Sequence, residues 1–113
     1  MQKGALAGVR VIELAGLGAL PFGSLKLADM GADIVRVERL SEVPASPQAR
    51  PQNAWDRGRR SIGVDLKHPD GVATVLRLCE GTDVFLESFR PGVVERLGVG
   101  PDAVMKRSPR IVY

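Results

Sequence analysis

The chain has 113 residues, of which 44% are apolar and 26% charged, and a net charge of +3 at neutral pH. That length supports one domain with a modest core, and no apolar run approaches the roughly 20 residues a membrane span needs. A single cysteine excludes an intramolecular disulfide framework and fits a reducing compartment, and the first residues do not read as a signal peptide. A cytoplasmic protein without a membrane partner is expected.

Met1 to Gly8 form a lead-in. Val9 to Leu14 alternate and are rich in β-branched residues, as a buried strand requires. Gly16 and Gly18 open a tight turn, and Pro21 suits a first helical position, where its missing N–H costs nothing. Phe22, Leu25 and Ala28 recur at helical spacing, and Gly31 is a natural stop. Asp33 to Glu38 is a second strand, and after about a dozen helical residues it should return parallel to the first by a right-handed crossover.

Leu40 to Asp56 carries Pro44, Pro47 and Pro51 and has no usable periodicity, so a long structureless loop is expected, mobile or functional. Trp55 near its end either anchors the loop on the core or covers a flat ligand ring. Arg57 to Ser61 leads into a third strand, Ile62 to Leu66. Pro69 and Asp70 then mark a helix entry, with His68 as a capping or surface residue. Val72, Val75, Leu76 and Cys79 fall on one helical face, which makes Cys79 a core thiol. Gly81 ends that helix, and Asp83 to Leu86 is a fourth strand. The polar turn Glu87 to Gly92 follows at its carboxyl end, the edge where parallel sheets bind ligands. Val93 to Leu97 and Pro101 to Arg107 are short helices, and Arg110 to Tyr113 opens a fifth strand. A domain seldom finishes on such an opening, so residues 1–113 are read as the N-terminal part of a larger domain.

The basic residues cluster at Arg36 and Arg39, at Arg57, Arg59, Arg60 and Lys67, and at Arg90 and Arg96. Such clusters are either a solvated surface or a grip on a polyanionic small molecule. Nothing but charge argues for nucleic acid, and no nucleic-acid partner is expected. A dinucleotide fingerprint is incomplete: Gly16 and Gly18 lack the third glycine, Pro21 standing in its place, although Glu38 stands where a ribose-binding acid would. His68 is the only histidine and has no nucleophilic partner, and metal-ligand spacing is missing. No catalytic residue and no metal is assigned.

Three blocks carry a resemblance. ELAGLGALPFGSLKLADMGADIVRVER, RGRRSIGVDLKHPDG and ESFRPGVVERLGVGPD resemble, in order, the N-terminal blocks of the family III CoA-transferase superfamily, and within it the α-methylacyl-CoA racemases. The AGLG–PF turn and Arg36 resemble the racemase branch, whereas Ala19 stands in place of a usual proline and Lys26 in place of a usual apolar residue. The resemblance implies an α/β fold, a Rossmann-like parallel sheet with flanking helices forming the N-terminal part of a larger interlocked-dimer fold. It implies a CoA site at Arg39, Val64, Asp65, Leu66, Lys67, Ser88, Arg90 and Arg96, with CoA entering as part of the acyl-CoA thioester substrate and no other cofactor. It also implies racemisation by a His and an Asp lying downstream of Tyr113, so this chain alone should be inactive. Two alternatives stand beside it: a CoA-transferase using a downstream Asp as nucleophile, and a non-enzymatic α/β module for nucleotides or nucleic acid.

Overall fold

The computed structural model describes residues 3–50 and 53–113. Four strands and four helices follow in the order β1 (Arg10–Leu14), α1 (Ala19–Asp29), β2 (Asp33–Arg39), β3 (Arg59–Val64), α2 (Pro69–Cys79), β4 (Val84–Leu86), α3 (Val93–Leu97) and α4 (Pro101–Arg107). The strands form one parallel sheet in the order β3-β2-β1-β4. The chain steps outward from β1 to β3, then crosses back to the other flank of β1. Its direction of winding therefore reverses beside β1, at the switch point where parallel sheets open a crevice.

Strand alternation divides the sheet into two faces. On one face Ile12, Leu14, Val37, Val64 and Phe85 pack against Val75 and Cys79 of α2 and Val94 of α3, with Val104 of α4 in the same cluster. On the other, Val11 and Ile34 meet Leu27 and Ala28 of α1. Each such apolar side chain, fully buried, contributes roughly 1.5–3 kcal/mol before chain entropy is set against it.

Helix α1 starts at Ala19, after Gly18 at φ 79°, so Pro21 occupies the third helical position rather than the first. Its missing N–H is harmless there too, because the opening N–H groups of a helix have no internal partner. The far end of α1 is closed by the lead-in: the Leu6 N–H donates to the Met30 carbonyl at 2.9 Å. A Cβ on Gly4 would stand 2.2 Å from that carbonyl oxygen, so only glycine lets the two segments approach. Helix α2 begins at Pro69 as its sequence dictates, with the Asp70 N–H donating to His68 Nδ1 at 3.1 Å. His68 is a cap.

Three expectations shift. The third strand is Arg59–Val64, three residues earlier than its apolar run suggests. Arg59 and Arg60 pair with Ile34 and Val35 of β2, and the buried carboxylate of Glu13 receives the Arg59 side chain. Leu40 to Asp56 is not structureless where it is described: 3₁₀ turns occupy Leu40–Glu42, Pro47–Ala49 and Ala54–Asp56. Pro51 lies outside the described residues. The fifth strand reduces to a parallel bridge between Val112 and Val84, with the Phe85 N–H donating to the Val112 carbonyl at 2.8 Å.

Candidate functional site: a cleft at the carboxyl edge of the sheet

A cleft of about 610 Å³ opens where β1, β2 and β3 end. Leu14, Val37 and Val64 form its floor, Phe89, Val93 and Leu97 one wall, and Leu40 and Ser41 another, while Arg39, Asp65 and Lys67 line it beside Glu38. An apolar trough with a few charged groups suits an elongated amphipathic ligand.

Local chemistry sets each wall. Gly63 lies in β3, and a Cβ there would stand 2.7 Å from Val43 Cγ2 and 3.3 Å from Leu40 Cδ1. Glycine thus lets the Leu40–Glu42 turn lie against the strand. Asp65 shapes the next corner: its Oδ1 accepts the Lys67 N–H at 3.0 Å, and its carbonyl accepts the His68 N–H at 3.1 Å. This turn carries Lys67 into the cleft lining, and the Asp65 side chain is spent on backbone rather than ligand. After β4, Glu87 Oε2 accepts the Phe89 N–H at 2.7 Å, which fixes the turn carrying Phe89. At the switch point a Cβ on Gly16 would come within 2.9 Å of Ser88 Oγ, so the β1 and β4 loops touch through a glycine.

Of the residues implied by resemblance, the cleft brings together Arg39, Val64, Asp65, Leu66 and Lys67. Ser88, Arg90 and Arg96 are not among its lining residues. Ser88 meets Gly16 instead, Arg90 is exposed, and Arg96 Nη1 folds back to 3.0 Å from where a Cβ on Gly92 would stand. Part of the basic cluster is paired with carboxylates, Arg36 and Arg59 inside the fold and Arg57 and Arg60 on its surface. Arg36 pairs with Asp56 at 3.0 Å, Arg57 with Asp29 at 2.8 Å, Arg59 with Glu13 at 3.0 Å and Arg60 with Asp33 at 2.7 Å. The buried pairs hold the fold, the exposed pairs add little to it, and none of the four arginines lines the cleft. Trp55 packs on Phe22 of α1, ring centroids 5.6 Å apart, and does not line the cleft.

Sequence reasoning found Val64 of the floor but missed Leu14, Val37 and the partner of Glu38. Arg50 binds that carboxylate with both nitrogens of its fork, at 3.0 and 2.6 Å, and holds its pKa below the usual range. Leu14 and Val37 read only as strand residues. Arg50 sat in a stretch without periodicity, and no local signal connects it to Glu38.

Residues 6–113 match the family described as CoA-transferase family III. The chain belongs to that family. As a member of CoA-transferase family III it is 44% identical over 108 residues to the alpha-methylacyl-CoA racemase of Mus musculus, an alignment covering 96% of this chain and 26% of the relative. It is 37% identical to the succinyl-CoA–L-malate CoA-transferase beta subunit of Chloroflexus aurantiacus, over 95% of this chain and 29% of the relative. The orthorhombic crystal structure of Rv3272 from Mycobacterium tuberculosis superposes with a TM-score of 0.85 at 36% identity, covering 97% of this chain and 31% of that one. This family III chain thus spans between a quarter and a third of the length of these relatives. Among its described residues no helix is long and apolar enough to cross a membrane, and no cluster of His, Cys, Asp and Glu is disposed to hold a metal ion.

Proposed function

We propose that the cleft binds the CoA portion of an acyl-CoA thioester, and that residues 1–113 are the N-terminal part of the CoA-binding domain of an α-methylacyl-CoA racemase. The observation that carries this is the pairing of Arg39 and Lys67 with an apolar trough at the carboxyl edge of a family III sheet. CoA has phosphates that suit the cations and an apolar arm that suits the floor. Ser88, Arg90 and Arg96 lie on the switch-point side and would meet the ligand only where it extends beyond the cleft. Racemase over transferase is supported by the 44% identity to the mouse racemase, against 37% to the malate CoA-transferase subunit. The transferase is the second reading.

Racemisation removes the proton α to the thioester carbonyl and returns it to either face, which requires two positioned acid–base groups. The cleft offers none. Arg50 ties up Glu38, Asp65 accepts its own turn's N–H, and His68 caps α2 outside the lining. The chain is accordingly a binding part, with acid–base groups supplied by further polypeptide and an interlocked homodimer as the working assembly. Calorimetric titration with CoA should show saturable binding that Lys67→Ala weakens about tenfold, the scale of one charge-assisted contact. The chain incubated with a 2-methylacyl-CoA in deuterated water should incorporate no deuterium at the α carbon. Absence of CoA binding defeats the cleft assignment, and α-exchange by this chain alone defeats the division of labour.

A further inference from the structure

The charges lining the cleft cancel. Glu38 and Asp65 offset Arg39 and Lys67, so the lining by itself has no preference for an anion. Glu42, outside the lining, lies 3.6 Å from Arg39, but both side chains are largely exposed and water screens that pair. Asp65 is engaged by the Lys67 backbone N–H. Glu38 is the remaining acid, and strand alternation turns its side chain to the face of Ile34 and Arg36, opposite the Val37 floor, so its charge acts on the cleft at a distance. It lies at the end of β2, its side chain only 12% exposed, where little solvent screens its field.

Arg50 changes the sign. It reaches back from the segment joining β2 to β3 and closes a two-pronged pair on Glu38, at 3.0 and 2.6 Å, from twelve residues away. The guanidinium remains charged at any physiological pH, and its fork fits both carboxylate oxygens at once. Arg50 is not itself a lining residue. Its effect on the cleft is therefore carried by the carboxylate it neutralises.

We propose that Arg50 is a positioning residue of the cleft, which by covering the Glu38 carboxylate makes the site accept a polyanionic ligand. The proposal rests on the reading of the cleft as a CoA site and adds a residue that acts on ligand charge without touching ligand. The β2–β3 segment thereby becomes part of the binding apparatus through one side chain. Ligand phosphates approaching Arg39 and Lys67 meet two cations and a silenced acid, rather than a balanced set.

The test compares four forms of the 113-residue chain: native, Arg50→Gln, Glu38→Gln and the double variant. CoA, inorganic pyrophosphate and phosphate-free pantetheine are titrated into each by calorimetry, with circular dichroism to establish folding. Arg50→Gln should weaken CoA and pyrophosphate about tenfold, the scale of one uncovered and little-screened charge, and the loss should shrink at high salt. Pantetheine should bind all four forms alike. The double variant should recover near-native affinity for CoA, because Glu38→Gln removes the charge that Arg50 exists to cover. A double variant as weak as Arg50→Gln would mean that Arg50 touches the phosphates itself and overturns the proposal. Unchanged CoA affinity in folded Arg50→Gln overturns it equally. If the native chain binds CoA and Arg50→Gln does not alter it, only this proposal falls; if the native chain binds neither CoA nor pyrophosphate, the CoA reading falls with it.

Discussion

Glu13 is the residue on which the α1 face of the sheet turns. It is fully buried in β1, and its carboxylate accepts from Arg59 Nη1 at 3.1 and 3.0 Å and from Ser24 Oγ at 2.5 Å, with Arg36 Nε 3.9 Å away. Arg36 continues to Asp56, and Arg59 also donates to the Trp55 carbonyl, so the network ties β1, β2, β3, α1 and the Ala54–Asp56 turn together. Arg36 Nε and Arg59 Nε are buried without a partner among the described residues, which leaves the cluster dependent on its one central acid. Such a pair need not stabilise more than apolar packing would, but breaking it from one side strands a buried charge. Glu13→Gln should cost about 3–5 kcal/mol, read as a lower urea midpoint with an unchanged slope. Glu13→Gln combined with Arg59→Met should cost clearly less, since the fully buried Arg59 guanidinium is then no longer stranded and Arg36 keeps its pair with Asp56. Equal losses would show that packing alone matters there. In the sequence Glu13 was an unremarked strand residue, because a buried acid announces itself only through partners distant along the chain.

At the scale of the element, helix α2 and the corner before it act as one unit. Its apolar face, Val72, Val75, Leu76 and Cys79, was legible from spacing, and so were Pro69 and its cap. The contact that seats it was not. A Cβ added to Gly71 would stand 1.9 Å from the Asp65 carbonyl oxygen and 2.8 Å from its carbon, both backbone atoms that cannot swing aside. The same carbonyl holds the His68 N–H in the turn that carries Lys67. Gly71→Ala should therefore destabilise the fold despite alanine's better helix propensity, by about 1–3 kcal/mol or more for overpacking. It should also weaken CoA binding by moving Lys67. Gly23 is the control: a Cβ there meets nothing within 4 Å, and Gly23→Ala inside α1 should be neutral to stabilising in thermal melts. A Gly71→Ala variant as stable as native would show that α2 can slide on the sheet, and the corner would not be fixed by it.

The whole molecule is held by one large core and one small one on opposite faces of the sheet, and Cys79 reports on the larger. Its side chain is fully buried among residues of α2, α3 and α4, and burial pushes the thiol pKa up to about 11. Because folding raises this pKa, the stability linked to the neutral thiol is complete below the unfolded value and is lost as pH rises from there through the folded one. Below that alkaline range the thiol is both protonated and inaccessible, and the thiolate is the reactive form. Alkylation of Cys79 at neutral pH should therefore be slow in the native chain and should rise in step with urea unfolding followed by circular dichroism. Fast labelling before the transition would mean that α2 opens independently of the sheet.

Local pattern determined a great deal of this protein. Strand alternation, helical spacing, Pro69, Gly31 and Gly98 are written within a few residues of their effects, and they sufficed for a parallel α/β sheet and for most of its helices. The ordered blocks sufficed for the family. Tertiary structure alone decided which arginines are free, because an ion pair such as Arg59 with Glu13 spans 46 positions, and no local rule selects the partner. It decided where the third strand starts, since the buried carboxylate of Glu13 on β1 draws Arg59 into the sheet. It also decided the charge of the cleft, through the hold of Arg50 on Glu38, because electrostatic energy depends on distance in space and burial rather than on order along the chain.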